Sequence, residues 1–320
     1  MSFHHADNRE IRGMPVGFWE VFLKKPSTGF IIQQLTEQLD NGNVLARGNI
    51  PTASYWQLNA ARIYQKANIF LFNLLKEIAL SGELPSKEAP LEIRAKLFKP
   101  PSFTELAWYC NSQSIIFLKN ILTRFVGYKH VWSVSFVPFS GLKLNLSEGI
   151  TIQNPKGRFL ADPFVISGEN GDYCFVEDFS YSENKGKISC FRISHNGYKY
   201  MGTALEEKFH LSFPYIFQFE GKLYMCPETA QINEVRLYEN ISFPNKWVYK
   251  QTILKNISAS DTVIFKQKNY WYLLTSICSS DMDDRLSELH LYSSDNPLSS
   301  NWERCSFNPV IFDSQKARNG

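Results

Sequence analysis

The hydrophobic and polar positions change their period once along the chain, near residue 131. Before that point they suit helices and two strands. Residues 1–14 are polar and read as a loop. Pro15 to Lys24 reads as a short helix with the proline in its first turn, where no backbone N–H is needed. Thr28 to Leu35 is a strand, Leu39-Asp40-Asn41-Gly42 a turn in which Asn-Gly tolerates positive φ, and Val44 to Ile50 a second strand. Ser54 to Leu80 places Leu58, Ala61, Ile63, Phe70, Leu74, Leu75 and Ile78 on a helix that Ser81-Gly82 stops. A Pro- and Lys-containing linker fills residues 82–101. Ser102-Phe103-Thr104-Glu105 is a capping-box pattern that predicts a second helix to about Phe125.

After Val131 the texture becomes short aromatic and β-branched runs broken by Gly, Asn-Gly and Pro, and these repeat. One unit has Pro163-Phe164-Val165 and Tyr173 to Glu177. The next has Pro214-Tyr215-Ile216 and Tyr224 to Glu228, and the third Thr262-Val263-Ile264 and Tyr272 to Ser276. The anchors recur at 51 and then 48 residues, and in each unit an aromatic follows its anchor by ten. A third strand comes after each: Ile188 to Phe191, Val235 to Tyr238 and Leu289 to Tyr292. Three to four strands in a period of about 50 residues predict propeller blades better than a solenoid or a sandwich.

Composition narrows the function classes. The formal net charge is +3 with both signs interspersed, so no basic stripe points to nucleic acid. Aromatic residues are 15% of the chain, mostly after residue 130, where they suit strands and, secondarily, sugar stacking. The six cysteines are far apart with no C-x-x-C pair, which predicts free thiols in a reducing compartment and no metal site. N-x-S sequons occur at Asn145, Asn240 and Asn256 but follow no hydrophobic leader. No run of about 18 apolar residues occurs, so a membrane span is not expected and a cytoplasmic location is.

Two constellations carry candidate chemistry. The first is His4, then Arg12-Gly13, Thr28-Gly29 and Asp40. An imidazole on a loop and a carboxylate at a turn serve acid–base chemistry, or they are a surface histidine and a turn aspartate. The order and gaps of these residues resemble the folate-dependent formyltransferases over residues 1–80. The resemblance implies formyl transfer from 10-formyltetrahydrofolate to an amine. His4 would stabilise the tetrahedral oxyanion, Asp40 would orient His4 and assist proton removal, and Arg12 and Gly13 would contact substrate. Ser2 falls where that family has Asn, and a hydroxyl offers one donor where an amide offers two. The fold so implied is the later part of a Rossmann-type α/β domain.

The second constellation is the set of acids in the repeats. Asp162 and Asp261 begin the first strands of their units, with Phe213 at the equivalent place between them, and Glu177 and Glu228 sit at matching points of second strands. First strands line a propeller's channel, so acids there converge. Paired carboxylates permit glycoside hydrolysis, bind sugar hydroxyls, or simply cap strands. His210 and Arg236 would bind an anionic or hydroxylated substrate. Ala161-Asp162-Pro163-Phe164, His210 to Pro214, Pro227-Glu228-Thr229, Val235 to Tyr238 and Ser260-Asp261-Thr262 resemble the N-terminal β-propeller of the glucosamine inositolphosphorylceramide transferases, and more distantly five-bladed glycoside hydrolases.

The expectation is a multidomain chain: a partial formyltransferase-like α/β domain over 1–81, a linker and helix over 82–130, and an all-β propeller over 131–320. Five units of about 50 residues need about 250, so the ring is expected to be incomplete and the chain to be the middle of a longer protein. The expected function is a carbohydrate-modifying transferase that formylates an amino sugar while the propeller binds the glycoconjugate. The alternatives are an inactive carbohydrate-binding protein, or glycosidase or glycosyl-transfer chemistry at the propeller acids.

Overall fold

The structure is a computed structural model that describes residues 1–35, 42–89, 95–137, 149–168, 170–279 and 285–319. The described residues divide into two compact units. The first comprises residues 1–129 with 278–290 and 306–318; the second comprises 130–277 with 291–305 and 319–320.

In the first unit, β1 (Ser2–His4), β2 (Arg12–Gly13), α1 (Phe18–Phe22), β3 (Ser27–Gln34), β4 (Asn43–Pro51), α2 (Trp56–Ser81), β5 (Leu97–Phe98) and α3 (Phe103–Val126) follow in order. The predicted capping box at Ser102 and Glu105 is present with both of its hydrogen bonds. The Rossmann-type half expected for residues 1–81 is not what the described residues build. Strands β1, β3 and β4 form a three-stranded sheet, antiparallel at both pairings. The link from β3 to β4 is too short for the crossover helix that a parallel pair requires, so the two strands form a hairpin.

Helix α2 buries Asn59, Ile63, Lys66, Ala67 and Leu74, a single stripe at helical spacing. Ile63 and Ala67 pack on Phe30 and Ile50 of the sheet and on Phe312. Lys66 is in the middle of this stripe, and its ammonium meets Glu288 at 2.6 Å with both side chains buried. Ser279 donates to the same carboxylate at 2.5 Å, and His290 lies against its other oxygen at 3.2 Å. Lys66, His290 and Ser279 hold the Glu288 carboxyl below the usual carboxylate range although burial works in the opposite direction. This cluster ties α2 to the late segment 278–290 of the same unit.

The second unit opens with the small pair β6 (Ser135–Phe136) and β7 (Ile150–Thr151). Two four-stranded antiparallel sheets and a five-stranded one, completed by a last short strand, follow. They are β8 (Arg158–Gly168), β9 (Gly171–Ser180), β10 (Lys185–Ser194) and β11 (Gly197–Leu205); β12 (Ser212–Phe219), β13 (Lys222–Glu228), β14 (Glu234–Ser242) and β15 (Lys246–Lys255); and β16 (Ala259–Gln267), β17 (Tyr270–Ile277), β18 (Glu288–Ser294) and β19 (Glu303–Arg304). A last short strand, β20 (Ile311–Phe312), pairs with Glu288 and Leu289 inside the first unit.

The first two of these sheets are buried on both faces because neighbouring residues of a strand point opposite ways. On β13, Met225 joins a core with Phe175 and Ile188 of the first sheet, while Tyr224 and Cys226 join one with Ile264, Trp271 and Leu273 of the third. A third core sets Cys174 and Val176 against Val134 and Ile152. The six cysteines are all free. Burial pushes the Cys174 and Cys190 thiols up to about 12, so these two remain protonated packing residues.

Removing Lys66 would leave Glu288 as an uncompensated buried charge. Lys66→Ala is expected to lower the stability of the first unit by about 3–5 kcal/mol, read as a fall in its denaturation midpoint.

Candidate functional site

The three sheets share one irregularity. The pairing of first and second strands slips between Ala161 and Phe164, between Ser212 and Tyr215, and between Ser260 and Val263. In each slip one residue has positive φ: Asp162 at 47°, Phe213 at 43° and Asp261 at 51°. Left-handed backbone is strained for any L residue and most of all for a bulky one such as Phe213. A bulge re-aims the side chains beside it. Directly across from these bulges stand the residues the repeat singled out, with Glu177 opposite Ala161, Glu228 opposite Ser212 and Ser276 opposite Ser260.

At the first bulge the surroundings form a cleft of about 510 Å³. Asp162 and Glu177 line it, and Trp132, Phe159, Phe164, Phe213 and Tyr215 form much of its wall. None of its twelve described lining residues is basic. The backbone N–H of Phe213 donates to Asp162 Oδ2 at 3.2 Å, so the second bulge supplies a donor to the acid of the first. Glu177 is 7% exposed. Burial, then the nearby charges of Asp162, Glu228 and Asp178, raise its pKa to about 8. At neutral pH it is therefore largely a protonated acid, able to donate as well as accept.

His210 stands behind Glu177. Its Nδ1 accepts from the Gly186 N–H at 2.8 Å, which leaves the proton of the neutral ring on Nε2, 3.6 Å from Glu177 Oε1. The ring also meets Phe179 edge-on, and the His210 N–H donates to Gln231. This arrangement needs a glycine at 186. A Cβ there would lie 2.5 Å from the Leu211 carbonyl oxygen, 2.8 Å from His210 Cε1 and 3.0 Å from Glu177 Oε1.

The other residues singled out from the sequence lie apart from the cleft lining. Glu228 acts on Glu177 through its charge. Asp261 is buried at the third bulge, where its carbonyl accepts from Asn319 at 2.7 Å. Arg236 is held by Glu234 at 2.6 Å, with its guanidinium over the rings of Phe209 and Tyr249. In the first unit, Ser2 and His4 lie on β1, and the Ser2 hydroxyl donates to the neighbouring Phe3 carbonyl. Arg12 and Gly13 form β2, paired with Leu97 and Phe98. Gly13 has φ of 109°, and a Cβ there would sit 1.9 Å from the Phe98 carbonyl oxygen, so chain packing requires this glycine. Asp40 and its turn lie outside the described residues. Among the described residues no set of three or more His, Cys, Asp or Glu is placed to hold a metal ion, and no helix is long and apolar enough to cross a membrane.

The aromatic wall was not singled out by the sequence reading. A partial signal exists, since Phe164 and Tyr215 each follow an anchor proline.

A family described as glucosamine inositolphosphorylceramide transferase 1, N-terminal, matches residues 147–320, more than half of the chain, and the chain belongs to it. The full-length protein of that name from Arabidopsis thaliana is 32% identical over 166 residues, covering 51% of this chain and 21% of the relative. The protein from Oryza sativa subsp. japonica is 31% identical over 166 residues, covering 51% and 22%. The matched region thus spans about a fifth of the length of these curated relatives. Among solved structures, a family 117 glycoside hydrolase from Zobellia galactanivorans aligns at 14% identity with a TM-score of 0.41, covering 57% of this chain and 64% of its own. A family 43 β-1,3-galactosidase aligns at 18% identity with a TM-score of 0.39, covering 47% and 32%. The family match begins at residue 147 and leaves the formyltransferase resemblance of residues 1–80 unsupported.

Two outcomes follow from this geometry. Gly186→Ala is expected to displace His210 and destabilise the second unit by about 1–3 kcal/mol, measured by denaturation and by the loss of the Gly186–His210 hydrogen bond in NMR spectra. Glu177 binds its proton more tightly folded than unfolded, so its contribution to stability is complete below about 4.5 and is lost as pH rises to about 8. Glu177→Gln should reduce the fall of stability across that window, by up to about 1.4 kcal/mol per pH unit in a pH series of unfolding curves.

Proposed function

We propose that the second unit binds a carbohydrate in the aromatic-walled cleft, with Asp162 and Glu177 engaging sugar hydroxyls. The observation that carries this is the pairing of a buried, largely protonated Glu177 with Asp162 on a wall of aromatic rings. Rings cover the apolar faces of a sugar, and carboxyl groups accept or donate to its hydroxyls. Membership of a family named for a glucosamine transferase supports the carbohydrate reading.

Catalysis at the same acids is the second reading. An acid held protonated near neutrality beside a second carboxyl group is the division of labour that glycosidic bond chemistry uses. Glu177 is the candidate proton donor, and Asp162 the candidate base or nucleophile. Formyl transfer to an amino sugar by the first unit is supported only by the order of His4, Arg12-Gly13 and Asp40. Gly13 is filled by the backbone of Phe98 and Gly29 by Asp7. No step through 10-formyltetrahydrofolate is derived from these residues.

Binding of the full chain to a glycan panel tests the proposal. A specific sugar is expected to bind, and Asp162→Ala is expected to weaken it by about tenfold or more, the loss of one hydrogen bond to a charged group. Unchanged affinity in Asp162→Ala and in Trp132→Ala would remove the cleft from the binding site. Hydrolysis of aryl glycosides that disappears in Glu177→Gln, with binding retained, would establish the catalytic reading.

A further inference from the structure

Helix α3 packs by one face only. Tyr109 is buried with Ile11, Phe18, Trp19 and Val21, and its hydroxyl accepts from the Trp56 N–H at 3.0 Å. Ser112, Gln113 and Ile116 continue this face. On the opposite side Ile115, Leu118, Leu122, Phe125 and Val126 fall at i, i+3, i+7, i+10 and i+11, a continuous helical stripe. These residues are large, apolar and open: Leu122 is 62% exposed, Phe125 86% and Val126 80%. An apolar stripe of this length on a helix marks a contact surface.

The charges around the stripe identify what it contacts. From Leu106 to Ser147 the chain has no Asp or Glu, while Lys119, Arg124, Lys129 and Lys143 fall in the same stretch. Lys119, Arg124 and Lys129 are exposed at the end of the helix where the apolar side chains are most open. The one acid of the helix, Glu105, lies at the end opposite these cations, so a second copy packed parallel on this face would bring cations against cations. The helix is also not apolar enough to cross a bilayer. A helix with an open apolar face and flanking cations can lie in the plane of an interface, its rings and aliphatic side chains among the acyl chains and its cations at the headgroups.

We infer that α3 is an in-plane anchor that docks the first unit on an anionic lipid surface. Nothing in this rests on the carbohydrate cleft, so the two readings fail separately.

Flotation of the full chain with vesicles tests it, using phosphatidylcholine alone and phosphatidylcholine with about 30 mol% phosphatidylserine. Binding is expected to the anionic vesicles, at least about tenfold weaker to the neutral ones, and to decline as salt screens the headgroups. Phe125→Glu and the double variant Lys119→Glu/Arg124→Glu are each expected to weaken it at least about tenfold. All three side chains are exposed, so these variants are expected to keep the wild-type melting temperature. Equal binding to both vesicle types, or anionic binding that Phe125→Glu leaves unchanged, would overturn the inference. So would the absence of binding. In that case a concentration-dependent dimer that Phe125→Glu dissociates, seen by sedimentation, would assign the face to a second copy. A monomer would leave the face without the role given to it.

Discussion

The slip in strand pairing that recurs at Asp162, Phe213 and Asp261 is the constraint from which the rest of the second unit follows. Each slip places one residue in left-handed backbone, a conformation with a cost of about 1–3 kcal/mol that persists only where the surrounding packing enforces it. That enforcement is visible: residues of both faces of the middle sheet are locked into cores shared with its two neighbours, and Tyr215 donates across to the Ile264 carbonyl at 2.8 Å. The strain has a local return. It turns Asp162 into the cleft and leaves the Phe213 N–H pointing at its carboxylate.

The cleft's chemistry depends on a small separation elsewhere. Gly186 lets His210, the Leu211 carbonyl and the Glu177 carboxyl group all close round its backbone, where a side chain would collide with each of them. Burial and three neighbouring carboxylates then make the protonated form of Glu177 the stable one. Asp178, one residue on, faces the other way and meets a different fate. It receives Arg158 at 2.5 Å and the Ser189 hydroxyl at 2.8 Å, and is spent on structure. Adjacent acids on one strand thus serve opposite ends because a strand alternates its faces.

The first unit has an analogous division. The stripe of α2 that faces its sheet is interrupted by Lys66, which a hydrophobic pattern alone would place in solvent. Its partner Glu288 lies far along the chain. Fully buried ion pairs contribute little net stability, but their partners are costly to remove singly, so such a pair defines which segment docks there. The same unit leaves α3 half covered, with apolar residues on its outer side where a purely structural helix would carry charge.

Much of this was legible in the residues alone. The two periods of 51 and 48 residues located three equivalent sheets, and the equivalence of Glu177, Glu228 and Ser276 followed from counting, because local pairing preserves spacing. The helices of the first unit and the capping box at Ser102 were also readable, since periodicity and caps are local. The sheet's architecture was not: the resemblance suggested a Rossmann-type half, and β1, β3 and β4 form an antiparallel sheet. Nor could spacing show which acids share a cleft, that Arg236 is held by Glu234 beneath two rings, or that Lys66 finds Glu288. Those outcomes depend on contacts between residues distant in sequence. The sequence by itself determined the repeat, its strands and its family. Only the tertiary structure decided that Glu177, Asp162 and His210 meet at a strained bulge, because burial and neighbouring charge are properties of the packed chain.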